Sequence, residues 1–361
     1  MREPGRRVEV GLVIEGVDVS RDVAPFLLSL TFTDNEGGEA DDLQVELEDS
    51  QGRFRGNWFP ARNSSLAAEI RVKNWRAPGD CRTLKCGSFE IDEIESKSYP
   101  STLRLKGVSA PVTSPGRREK KTRAWENARL SVIAGDVASR AGLALRYLPG
   151  EDPLFDRIDQ KEESDLGFVR RAAERVGLSV KVVDRTLVVY DEQELEKAPP
   201  VRTVALGVDD VKEWSLKTQS GDVYQKAEVG YQDPLVKARI EGEAVEEDKI
   251  PSGHTLKINA RVKSPAEARM VAEKALWNVN RRAVTGSMTL MGDPDLVMGV
   301  NLRLSGFGTW DGTYRVTKAQ HEVSPSGYSV KLDLEAGRDA RRQVRRGGGG
   351  SAPALRKART T

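Results

Sequence analysis

The run Leu43-Gln44-Val45-Glu46-Leu47-Glu48-Asp49 alternates apolar and polar residues as far as Glu48. That period of two fits a strand with one buried and one wet face. Further strands are read at Val8–Ile14, Asp18-Val19, Leu28–Thr33, Glu69–Val72, Gly87–Ile94 and Thr102–Val108. Asp34-Asn35-Glu36-Gly37-Gly38 supplies turn chemistry between two of these runs. Short strands at such spacing predict an antiparallel barrel or sandwich over residues 1–112.

The period then changes. A Pro-, Gly- and base-rich connection, Pro111–Lys121, opens a region with helical spacing. Asn127 is placed to cap a helix carrying Leu130, Ile133 and Val137 on one face, with Gly142 at its end. Ser164 is the candidate cap of a second helix, whose Leu166, Val169, Ala173 and Val176 form a stripe and whose stop is Gly177. Leu178–Val183 and Thr186–Tyr190 then form a hairpin around Asp184-Arg185. Residues 113–200, ending at Pro199-Pro200, are therefore expected to be a small α+β module.

Strand patterning returns at Ser215–Lys217, Tyr224–Tyr231 and Leu256–Val262, and again at Ala283–Met291, Val300–Ser305, Gly312–Ala319 and Tyr328–Leu334. One helix interrupts it. Ser264-Pro265-Ala266-Glu267 is a capping box with proline at the first helical position, and Ala268, Val271, Ala275, Leu276 and Val279 follow as the apolar stripe. Residues 201–337 are thus expected to form a second barrel with one helix. The predicted fold class is mainly β with an α+β insert, in two or three domains for a chain of 361 residues.

Charge is unevenly spread. Residues 338–361 hold eight bases and one acid, a net +7, so the +2 of the whole chain leaves −5 for the rest. With Gly347-Gly348-Gly349-Gly350-Ser351 in its middle, this basic tail is expected to be disordered. The acidic body argues against DNA binding as the main task. No apolar run reaches the roughly 18 residues of a membrane helix, and Met1–Arg7 is not expected to start a signal peptide.

Candidate chemistry is sparse. Cys81 and Cys86 have the wrong spacing for a four-ligand zinc site. His321 stands without a spaced acidic partner and is read as a hydrogen-bonded structural residue. Gly306-Phe307-Gly308-Thr309-Trp310-Asp311-Gly312 lacks the glycine spacing and following helix of a phosphate loop, so it reads as a hairpin turn. Carboxylates such as Glu46, Glu48, Asp49, Glu243 and Glu246 read as surface charge rather than as a hydrolase pair. No catalytic constellation, metal site or cofactor site is predicted.

The order of several segments resembles a known family. Asp159–Gly177, with Gln160, Glu163, Ser164, Asp165, Leu166, Phe168 and Gly177, looks like the Q-x-x-E-S-D-L-x-F-L-x-R-L-A-x-x-x-G stretch of the phage late-control protein D family, the tail protein D or baseplate hub proteins. That family is similar to the hub portion of type VI secretion spike proteins. Gly292-Asp293-Pro294-Asp295-Leu296, then Gly306, Gly308, Gly312, Tyr314, His321, Gly327 and Tyr328, resemble the family's last barrel, and Leu30–Asp49 fits its first. The resemblance implies two tail-tube-like antiparallel β-barrels plus a small middle module. It further implies a homotrimer whose six barrels adapt a sixfold tail tube to a threefold spike. The tail tube protein, a trimeric spike protein, baseplate wedge proteins and a tape-measure protein are the implied partners. The implied place is the baseplate of a virion or tail-like particle, assembled in the bacterial host cytoplasm. The implied role is structural and not enzymatic. Two alternatives stay open: a tail-associated peptidoglycan hydrolase, and a nucleic-acid-binding protein acting through the basic tail around Arg341–Lys357.

Overall fold

The computed structural model describes residues 5–347 except 62, 110–118, 233–237, 249 and 251–252. The connection predicted at Pro111–Lys121 falls mostly outside the described residues. Thirteen strands share one sheet. Its main path runs from Val211–Thr218 through Val284–Met291, Gly327–Ala336 and Gly312–Ser324 to Leu27–Asp34. From there it continues through Asp42–Glu48, Thr102–Val108, Cys81–Lys97 and Ser65–Lys73 to Arg7–Ile14 and Val17–Asp18. Arg202–Ala205 and Asn301–Ser305 branch from Gly312–Ser324. The architecture is mainly β, with antiparallel pairing dominant and α+β units attached. In Asp42–Glu48 buried and half-buried residues alternate along the whole strand, as the period of two requires.

This sheet carries two apolar cores. Leu30, Leu43, Ile70 and Leu103 belong to the first, and Met288, Leu302, Tyr314 and Val330 to the second. The two meet where Leu27–Asp34 lies antiparallel to Gly312–Ser324, with Ala319 opposite Asp34, His321 opposite Phe32 and Val323 opposite Leu30. Backbone hydrogen bonds therefore run straight from the N-terminal strands to the C-terminal ones.

The middle region has its own core, in which Leu130, Ile133 and Val137 face Phe168, Val169 and Leu187. The helix Asp165–Arg175 starts at Ser164, whose Oγ accepts from the Gly167 N–H at 3.2 Å. The hairpin turns on Asp184 and Arg185, both at positive φ. Asn127 is a correction. It lies within the strand Lys121–Arg129, which pairs with Leu154–Glu163, and the helix Leu130–Arg140 begins after Arg129 without a side-chain cap. Pairing with a strand overrode the local capping signal.

The expected single barrel over residues 201–337 also needs correction. Lys226–Gln232, Arg239–Val245 and Thr255–Asn259 form a separate three-stranded sheet, covered by the helix Pro265–Asn280. Ala268, Ala272 and Leu276 of that helix pack on Ala227, Val229 and Ala244, and the small side chains let helix and sheet approach closely. The buried stripe thus follows Ala268, Ala272, Leu276 and Asn280 rather than Ala275 and Val279. Ser264 caps the helix, as its Oγ accepts from the Glu267 N–H at 3.2 Å, while the Glu267 carboxylate accepts from Lys263.

The disordered tail predicted from residue 338 is overturned for its first part. Arg338–Gly347 is a helix, and Ala340, Arg341 and Val344 are buried against the second core. Its arginines find acids. Arg342 Nε is 2.6 Å from Asp248, an Arg338 Nη2 is 2.6 Å from Glu247, and Arg341 reaches Glu196 at 3.2 Å. Ion pairing and two apolar anchors order a stretch whose composition alone reads as solvated.

Candidate functional site

The first motif closes on itself. Asp165, fully buried at the start of its helix, accepts from Lys121 Nζ at 2.9 Å and from Gln160 Nε2 at 3.0 Å. Burial pulls its carboxyl up, but the hydrogen bonds from Lys121 and Gln160 outweigh it and hold the group below the usual carboxylate range. Glu163 accepts from Arg171 at 2.5 Å. Phe168 is fully buried and stacks on Trp125 with centroids 4.6 Å apart, while Leu166 packs half-buried on the same core. Gly177 ends the segment and seats Lys274, whose Nζ donates to the Val176 carbonyl at 2.9 Å. These residues fix the middle module and its contact with the helix Pro265–Asn280.

The second group surrounds His321, which is completely buried. Its Nε2 lies 3.0 Å from the Leu296 carbonyl, which can only accept, so Nε2 carries the proton. Nδ1 then accepts from the Tyr328 hydroxyl at 2.8 Å. Burial lowers the imidazole to about 4, so it is neutral at pH 7. The Tyr328 ring lies over Gly292, where a Cβ would stand 2.2 Å from the ring. Only glycine permits that approach. Next to it, Trp75 Nε1 donates to the Gly292 carbonyl at 2.6 Å. Buried Asp293 receives Arg82 at 2.7 Å, Arg202 at 3.1 Å and Arg76. Trp75, Arg76 and Arg82 come from the first half of the chain, so this motif is a clasp between the two halves.

The third group holds the C-terminal helix. Gly306 and Gly308 stand at positive φ in the connection between the paired strands Asn301–Ser305 and Gly312–Ser324, the hairpin expected from the sequence. Tyr314, fully buried, donates its hydroxyl to the Trp310 carbonyl at 2.9 Å. A Cβ on Gly312 would meet that of Ala340 at 2.7 Å, so the helix Arg338–Gly347 rests directly on this backbone. Gly327 turns the hairpin that carries Tyr328. The thirteen motif residues thus lie in three separate packing centres rather than in one cleft.

Two ion clusters escaped the sequence reading. Arg315 Nη2 donates to Glu36 at 2.8 Å, Glu335 at 3.0 Å and Glu192 at 3.3 Å. Arg281 Nη1 stands within 3.0 Å of the same three carboxylates. Burial works to raise both Glu36 and Glu192. The two arginines nevertheless hold Glu36 below its usual range, whereas at Glu192 burial and the neighbouring Glu36 prevail and push it up. The other cluster is Lys181 with Asp34 and Asp41. Its Nζ lies 2.8 Å from Asp41 and donates to the Asn35 carbonyl at 2.6 Å. Burial pushes Asp41 up to about 6. Both clusters tie the turn Asp34–Asp41 to the middle module, and the first reaches the second core as well. Their partners are far apart in sequence, so no spacing signals them.

Among the described residues no group of three His, Cys, Asp or Glu is placed to hold a metal ion. Cys86 is buried, which raises its thiol, and Cys81 is exposed; both are free. What the motifs build is rigidity between units.

The comparisons agree with a scaffold. The chain is 27% identical over 374 residues to a probable baseplate hub protein of Escherichia phage 186, covering 90% of this chain and 92% of the relative. A tail protein from Neisseria meningitidis MC58 shares its fold at a TM-score of 0.67 and 14% identity, over 93% of this chain and 99% of that one. An E. coli component of the type VI secretion system, described as similar in structure to tail proteins of bacteriophage T4, follows the fold at a TM-score of 0.51 and 12% identity, over 93% and 75% of the two chains. The family model of the phage tail baseplate hub (GPD) matches residues 111–327. With more than half of its length inside that match, the chain belongs to the phage tail baseplate hub family, whose members are structural components of the tail rather than enzymes.

Proposed function

We propose that three copies of this chain close into a ring that adapts a sixfold tail tube to a threefold spike, in a contractile phage tail or a tail-like particle. The observation that supports it most is the fusion of two β units, each with its own core, through the register of Leu27–Asp34 on Gly312–Ser324. Three such pairs offer six β units in a threefold object, the symmetry match such a joint needs. In this reading the two β units of the thirteen-stranded sheet form the ring, and the module 113–200 sits outside it. The net −5 of residues 1–337 suits a lumen passed by DNA or a tape-measure protein. Tail tube protein, trimeric spike protein and baseplate wedge proteins are the expected neighbours, and assembly takes place in the host cytoplasm.

The nucleic-acid reading loses ground on one observation: Arg338, Arg341 and Arg342 are already paired with Glu247, Glu196 and Asp248. The native mass of the purified chain tests the ring. Three times the chain mass of 39.8 kDa is expected at micromolar concentration. A dimer or tetramer would overturn the threefold reading.

A further inference from the structure

Lys181 is the one buried lysine among the described residues. Its Nζ donates to Asp34 Oδ1 and to the Asn35 carbonyl, and lies 2.8 Å from Asp41 Oδ1. The side chains of Lys181 and Asp41 are only 2% and 4% exposed, so the group is nearly dry. The second oxygen of Asp34, Oδ2, accepts from the Met298 N–H at 2.9 Å. Asp41 Oδ1 accepts in turn from the Asn35 N–H at 2.8 Å. Three segments of the chain thus bring together an amine, a carboxyl group, a donor on that carboxyl's far oxygen and a second acid.

The second acid is tuned for proton transfer. Burial pushes Asp41 up to about 6, where a carboxyl both takes and gives up a proton near neutral pH. The contact of Lys121 with Asp165 lacks these features: Lys121 is 22% exposed, and its acid is held below the usual carboxylate range.

We propose that Lys181 and Asp34 condense into an amide bond, made by the folded chain itself with Asp41 as proton carrier. Nζ attacks Cγ of Asp34, so the Cγ–Nζ bond forms and the Cγ–Oδ1 bond breaks. Two of the three ammonium protons pass through Asp41 to Oδ1, which leaves as water; the third stays on the amide. One ammonium and one carboxylate become a neutral amide and water, and the step needs no oxidant or cofactor. In the tetrahedral intermediate the negative charge falls on Oδ2, where the Met298 N–H already points. Fixing amine and carboxyl in one site removes the entropic cost of bringing them together. Replacing two buried charges by a neutral amide also lifts their desolvation penalty, which favours a condensation that bulk water would reverse. The bond fastens the first β unit to the middle module covalently, across 147 positions of sequence. It is independent of the ring reading.

The test is the intact mass of the purified full-length chain under denaturing conditions. A mass lower by one water than the sequence requires is expected, together with a branched tryptic peptide that joins the segments holding Asp34 and Lys181. Lys181→Arg keeps the charge but cannot form the bond; it should show the full mass and lose the faster migration that a cross-linked chain has in a denaturing gel. In a time course after cell-free synthesis, Asp41→Asn should form the link about 100-fold more slowly. A wild-type chain of full mass, or a lost water that maps to another pair or to Asp311-Gly312, overturns the proposal. Wild-type linking rates in Asp41→Asn overturn the part given to Asp41.

Discussion

The Tyr328 hydroxyl donates to Nδ1 of His321 at 2.8 Å, which leaves this fully buried imidazole neutral and proton-bearing only at Nε2. The folded His321 titrates near 4, against 6.5 for the free side chain. Between those values the unfolded chain binds more protons, so stability present above pH 6.5 is lost as pH falls toward 4, by about 3 kcal/mol from this group. Asp41, raised to about 6, acts in the opposite direction. The difference between wild type and His321→Gln isolates the histidine. Urea unfolding between pH 7 and 4.5 should show a steeper acid loss in the wild type; parallel curves would refute the assignment.

Arg315→Met should be among the most damaging single changes. It leaves Glu36, Glu192 and Glu335 around Arg281, with only the exposed Arg282 beside Glu335 at 4.0 Å. Removing one partner from a buried ion cluster costs roughly 3–5 kcal/mol. Glu192→Gln should cost less, since burial and the neighbouring Glu36 already raise that carboxyl and the amide oxygen can still accept from Arg281. Equal losses for the two variants in denaturant titrations would count against this account of the cluster.

Gly292→Ala tests close approach without backbone strain. Its new Cβ would meet three atoms of the Tyr328 ring at 2.2 to 2.4 Å. Displacing the ring breaks the bond to His321 as well, and overpacking of this kind costs about 1–3 kcal/mol. A reduced melting temperature with a perturbed histidine signal in NMR is expected. An unchanged imidazole signal would show that the ring moves independently of His321.

Two truncations separate the parts of the basic tail. Ending the chain after Gly347 should leave the melting temperature unchanged. Ending it after Gly337 removes Ala340 and Val344 from the second core and strips Glu196, Glu247 and Asp248 of their arginines. That loss should lower the melting temperature by several degrees. Indistinguishable truncations would mean that the helix contributes nothing to the fold.

How far the sequence reached follows from the range of each signal. Ser164 and Ser264 were legible as caps because cap and helix lie within four residues. The Asp184-Arg185 hairpin was legible for the same reason. Arg239–Val245 was missed although Ile240, Gly242 and Ala244 alternate with Arg239, Glu241 and Glu243, because Gly and Ala are weak strand formers and the side they make is buried only by the helix above it. The motif residues could be found by resemblance, but not their purpose. That Gly292 and Tyr328 meet Trp75 depends on a contact across most of the chain. The Arg281 and Arg315 cluster left no trace in spacing at all.

The pairing of Leu27–Asp34 with Gly312–Ser324 also bears on how the protein is made. As the chain leaves the ribosome, Leu27–Asp34 can pair at once with Asp42–Glu48 on one flank, but its other flank waits for strands translated near the end. An open strand edge invites pairing with other nascent chains. The turn Asp34–Asp41 next to it binds the middle module through Lys181, which emerges much earlier than the final strands. That turn can therefore be held by the middle module before the strand that completes its other flank has been made.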